Sequence, residues 1–158
     1  MRVTLIIAGI VIALRVGLHY AGFAIGPMEF VPVHLLAVIA VAYLSGFLLL
    51  RHDPSRGMAE LIRNGLRDTA LYAVVIAVFI YIFYRYIDAS EFPERNAQFI
   101  ANFVAEGHTE AEAREKVERF YTPGGYAGVT FFGMLLLGVF NTLIFGALHH
   151  KVLRRFRR

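Results

Sequence analysis

Four ionisable residues fall where the surrounding chain is almost wholly apolar: Arg15, His19, Glu29 and His34. Arg15 and His19 are four apart and share one face of a helix. Glu29 and His34 flank the turn that begins at Gly26-Pro27-Met28. A guanidinium, a carboxylate and two imidazoles brought together can hold an anion, orient a quinone head group or pass a proton. The same set has a plainer reading, in which Arg15 snorkels toward Glu29 or a lipid phosphate and both histidines rest at the membrane interface. His149 and His150 are adjacent, so on a helix they diverge by about 100° and do not converge on one metal. They read instead as a helix C-terminal cap touching phospholipid. There is no GxSxG, HExxH, Walker loop or GxGxxG, and the chain has no cysteine. The expectation is therefore no catalytic residue, no metal site and no cofactor.

The elements that must position these residues are hydrophobic blocks. Of the 158 residues 58% are apolar and 18% charged, and the mean hydropathy is +0.57. Four blocks are long enough to cross a bilayer, which takes about 20 apolar residues as a helix: residues 3–23, 30–50, 69–86 and 126–148. A soluble domain of this size has no core that hides four such blocks, whereas a helix satisfies its own backbone in hydrocarbon. The spacing thus predicts an all-α polytopic membrane protein with four transmembrane helices in a single domain. The apolar run after Met1-Arg2 extends past the length of a signal peptide's core, so the first helix is expected to be retained.

Basic residues set the expected orientation. Arg2, Arg51, Arg56, Arg63, Arg67, Lys151, Arg154, Arg155, Arg157 and Arg158 all fall on one side of a four-span chain. The other side holds the short turn and an insertion, residues 88–125, with eight acidic and four basic residues. That predicts both ends on the cytoplasmic side and an acidic extracytoplasmic insertion, in a cytoplasmic (inner) membrane. The net charge of +4 is placed to meet a membrane surface, not nucleic acid. Lys151, Arg154, Arg155, Arg157 and Arg158 are expected to bind anionic lipid at the cytoplasmic face.

Both polar links carry helical patterns. Met58, Leu61, Ile62 and Leu66, with Arg63 and Arg67 between them, read as an amphipathic cytoplasmic helix leading into the third span. Within the insertion, Phe92, Asn96, Phe99, Ile100, Phe103 and Val104 share a face, and Gly107 ends that helix. Thr109 and Glu112 then form a capping box for a second helix, which Thr122-Pro123-Gly124-Gly125 breaks. The insertion is expected to be a helical hairpin. Tyr81, Tyr84, Tyr86 and Tyr126 suit an interfacial aromatic belt.

Helices in lipid approach one another through small residues. Gly9, Ala13, Gly17 and Ala21 make a four-membered stripe on the first span, and Gly138, Thr142 and Gly146 a second on the fourth. These are the expected helix-packing residues, with Asn141 bonding across to a neighbouring helix.

The two-span start, Gly65 before the third span, Phe120-Tyr121-Thr122-Pro123 and a Gly-rich last span with a basic tail together resemble the DUF4199 family of small bacterial membrane proteins. The resemblance covers almost the whole chain. It implies a bacterial inner-membrane protein with no assigned activity, and no catalytic residue. The functional expectation is a structural or accessory subunit, not an enzyme, that packs against itself or a larger membrane complex. The alternative is an oligomeric carrier or channel for a small solute or ion, built on the cluster around Arg15.

Overall fold

The computed structural model describes residues 1–153. Its described residues form six helices and no strand. These are α1 (Arg2–Tyr20), α2 (Val31–His52), α3 (Met58–Ile82), α4 (Glu91–Ala105), α5 (Glu110–Phe120) and α6 (Pro123–Leu148). Four of them are long and apolar enough to cross a membrane: α1, α2, α3 with its extension, and α6 with its own. Ile6, Ile10, Leu36, Phe132, Leu136, Phe140 and Ile144 stay exposed along these helices. Such surface is untenable in water and ordinary against lipid. The chain has the build of a multi-pass membrane protein.

Helix ends follow local chemistry. At the end of α1 the chain turns through Gly22 at φ +80°. The Gly22 N–H donates to the His19 carbonyl and the Phe23 N–H to the Leu18 carbonyl, both at 3.0 Å. The end of α4 repeats this pattern at Gly107, φ +97°, with His108 N–H donating to the Phe103 carbonyl at 3.1 Å. Both are helix stops that satisfy orphan carbonyls and need a left-handed residue. At the head of α5 the expected capping box is present, Thr109 and Glu112 each accepting from the other's backbone. Two wide π-type turns, Phe83–Ile87 and His149–Leu153, extend α3 and α6.

Two sequence expectations need correction. The amphipathic segment from Met58 is not a separate helix but the first turns of α3. No proline or cap interrupts residues 58–69, and Leu61 is buried by tertiary packing. Similarly, Pro123-Gly124-Gly125 does not lie outside the fourth span but forms its first turn. Proline suits that position because its missing N–H would be an orphan there. The Thr122 hydroxyl caps the turn by accepting from the Gly125 N–H at 2.9 Å.

The fold divides into two compact units. One comprises Met1–Ile76 and the chain from Phe131 onward; the other is Ala77–Thr130. In the first unit α2 contributes the continuous buried face Ala37, Val38, Val41, Ala42, Ser45 and Gly46. The buried face of α1 is Thr4, Ala8, Val11 and Arg15. Helices α3 and α6 interlock by exchanging glycine and threonine. A Cβ on Gly65 would stand 2.5 Å from the Thr142 methyl, one on Gly138 2.8 Å from Thr69 Cβ, and one on Gly146 3.0 Å from Ile62. These contacts let the two backbones approach closely without a hydrophobic drive. At the far end of α6 the buried His149 ring lies against Gly46, and its Nε2–H donates to the Tyr43 carbonyl at 2.8 Å.

In the second unit the α4–α5 hairpin buries Phe92, Ala113 and Val117. Tyr84, from the turn that extends α3, packs edge-on against Phe92 and Tyr126, with ring centroids 5.2 and 5.8 Å away. Of the residues suited to an aromatic belt, Tyr84 is thus core, while Tyr81 and Tyr86 are exposed.

Candidate functional site

The sequence drew attention to one polar cluster, and the structure places two of its members, Arg15 and His34, against buried aromatic residues. Arg15 is only 3% exposed, with its guanidinium 5.7 Å from the centre of the Phe30 ring. Phe30 packs edge-on against His34, centroids 5.2 Å apart. His34 is buried, and its Nδ1 lies 3.5 Å from the Tyr72 hydroxyl of α3. His19 is half-buried with its ring edge-on to Tyr20, and Glu29 is exposed. The buried set is therefore Arg15, Phe30, His34 and Tyr72, drawn from α1, the turn, α2 and α3. A cation, an imidazole and a phenol in apolar surroundings can exchange protons or recognise a polar head group. The Tyr72 contribution was missed because an aromatic in an apolar span reads as lipid-facing. Its signal was position, four residues after Asp68 on the same face.

Asp68 itself was overlooked, although it is a carboxylate 3% exposed at the edge of a hydrophobic run. It accepts from the Ser45 hydroxyl at 3.0 Å and faces the first amino group of the chain at 3.4 Å. Arg67 reaches it at 3.4 Å and also donates to the Asn64 side chain at 2.6 Å. Asn64 in turn donates to Ser45 at 2.7 Å, which closes the ring. Every member shares a proton or a charge with a neighbour, so the burial of this carboxylate is compensated. A cavity of about 200 Å³ adjoins it, lined by Thr4, Val41, Ser45 and Asp68 among others. Ser45 was its readable sign, a hydroxyl within the most apolar stretch of α2.

Of the expected packing residues, Gly138, Thr142 and Gly146 face α3 as described above. Asn141 does not reach across; its amide donates to the Leu137 carbonyl of its own helix at 2.9 Å. That bond lets a half-buried amide stay satisfied without a partner helix. Gly9, Ala13, Gly17 and Ala21 are all exposed. A Cβ placed on Gly9 or Gly17 would meet nothing within 4 Å. The buried face of α1 is the neighbouring one, because Arg15 and Thr4 must be withdrawn from lipid and they set the helix's rotation. Of the expected lipid-binding residues, Lys151 is exposed, and Arg154, Arg155, Arg157 and Arg158 lie outside the described residues. No group of three or more potential metal ligands occurs among the described residues.

No protein-family model, no curated protein and no solved structure matches the chain.

Proposed function

We propose that this chain is an accessory subunit that docks against a second copy of itself or a larger membrane complex through the outward face of α1. The observation that carries this reading is the open stripe Gly9, Ala13, Gly17 and Ala21. Its four-residue spacing is that of Gly138, Thr142 and Gly146, a stripe which within the same chain does receive a neighbouring helix. Small residues in a lipid-facing stripe cost packing with acyl chains, and a partner backbone recovers that contact. The reading extends to an N-in, C-in orientation, to a tail gripping anionic lipid, and to the resemblance with the DUF4199 family.

Gly9→Leu and Gly17→Leu fill the stripe where the chain itself has room. Native mass spectrometry of the protein in mild detergent is expected to find a complex heavier than one protomer, and the double variant should return it to the protomer mass. A wild-type chain that already runs as a partnerless protomer overturns the reading.

A second reading is favoured by the buried Arg15–Phe30–His34–Tyr72 set: an oligomeric carrier for a small anion or proton. Placing a cation in a span costs about 2.5–3.5 kcal/mol on insertion scales, so the retention of Arg15 beside a buried imidazole and phenol asks for a reason. Arg15→Leu should abolish flux into protein-loaded liposomes. Unchanged flux in that variant, or none in the wild type, removes this reading.

A further inference from the structure

The α4–α5 hairpin carries a groove that its own core does not use. It encloses about 640 Å³, and its floor is formed by Ala97, Ile100, Ala101 and Val104 of α4. One wall is a charged row from α5, Glu110, Arg114 and Glu118. Arg114 pairs with both carboxylates, at 3.3 and 3.1 Å, so the row keeps one negative charge in excess. The residues of the insertion around it, 88–125, carry eight acidic and four basic groups.

Asn96 lines the same groove. Its Nδ2–H donates to the Tyr121 carbonyl at 3.0 Å, which fixes the amide's orientation, since the reverse would set two oxygens face to face. Its Oδ1 is buried and has no hydrogen-bond partner.

We propose that this groove docks a cationic amphipathic helix of a partner protein. Three features converge on that occupant. The apolar floor runs from Pro93 to Val104, roughly three helical turns, enough for the apolar face of one helix. Lysine and arginine are donors without acceptors, so they suit the exposed carboxylates of Glu110 and Glu118. The negative field of the insertion repels anionic head groups and attracts such a segment. The inference deepens the accessory-subunit reading by naming a partner's chemistry, on a surface separate from the α1 stripe.

The test uses the full chain in zwitterionic nanodiscs and a fluorescent helical peptide of about 15 residues, roughly 22 Å long, made of leucine, alanine and lysine. Fluorescence anisotropy is read against empty discs, and against a peptide with glutamate in place of lysine. The lysine peptide should bind loaded discs beyond the empty ones, and the glutamate peptide should not. Ala101→Trp fills the groove from an exposed position, and Glu110→Gln with Glu118→Gln removes the attraction without changing shape. Each should weaken binding at least about tenfold. Equal binding by the glutamate peptide, by empty discs or by the glutamine variant overturns the proposal, even if the tryptophan variant misfolds. A chain that is monomeric yet binds the lysine peptide discards the α1 stripe and keeps the groove; an oligomer that ignores the peptide does the reverse.

Discussion

At the residue scale, the four glycines Gly46, Gly65, Gly138 and Gly9 separate what holds the bundle from what lies open. A Cβ on Gly46 would come 2.4 Å from the His149 ring, and one on Gly65 2.5 Å from the Thr142 methyl. Neither neighbour has room to move, because His149 is anchored to the Tyr43 carbonyl and Thr142 is buried. Gly65→Ala should therefore destabilise by about 1–3 kcal/mol through overpacking. Unfolding in mixed detergent micelles measures it. Thr142→Ala removes the opposing methyl, so the double variant should recover part of the loss, a coupling that an additive result would refute. Gly9→Ala, with nothing near, should be neutral or slightly stabilising through helix propensity. Spacing alone could not tell these positions apart. Gly9 and Gly138 sit in equivalent sequence patterns, and only the rotation imposed by burying Arg15 and Thr4 turns the α1 stripe outward. For the same reason Asp68 was illegible: its partners, Ser45 and the chain's first amino group, are far away in sequence.

At the element scale, the hairpin shows where sequence suffices. Gly107, Thr109 and Glu112 are local signals, and both the stop of α4 and the start of α5 occur where they indicate. By contrast, the start of α3 and that of α6 depended on judging whether a polar or Pro-Gly segment interrupts a helix, which tertiary packing decides. Gly107→Ala places a side chain at φ +97° and should cost the hairpin about 1–2 kcal/mol, seen as faster amide hydrogen exchange in α4 and α5 only. The capping box gives the same hairpin a pH dependence. Hydrogen bonds from the Thr109 hydroxyl and backbone hold the Glu112 carboxyl below its ordinary value of 4.5. A depressed folded-state pKa means the contribution is fully present above the unfolded value and is lost as pH falls through the folded one. Exchange at the α5 N-terminus should therefore accelerate below about pH 4.5 relative to neighbouring amides. Glu112→Gln, which keeps the cap's hydrogen bonds but cannot titrate, should flatten that response; an unaltered profile in the variant would assign the acid sensitivity elsewhere.

At the scale of the whole molecule, charge is partitioned by segment, and the proposed orientation rests on that partition. In a four-span chain both ends fall on one side with the segment around the α2–α3 link, and these segments together hold ten lysines and arginines in sequence. The 88–125 insertion has four, and acidic residues weigh little in the rule, so the proposed N-in, C-in orientation rests on this basic asymmetry. The absence of cysteine makes the test clean, because a single introduced thiol is the only one. Ala59 and Ala111 are both exposed, the first in the opening turn of α3 and the second in α5. In intact cells an impermeant maleimide should label Ala111→Cys at once and Ala59→Cys only after permeabilisation. The reverse pattern would invert the molecule and turn the acidic groove toward the cytoplasm, so that its cationic partner would have to be sought there. Labelling of both thiols in intact cells would mean that α3 does not cross. That outcome would leave Asp68, Tyr72 and the buried Arg15 set without a membrane to be buried from, and it would remove the carrier reading and the α1 docking face together.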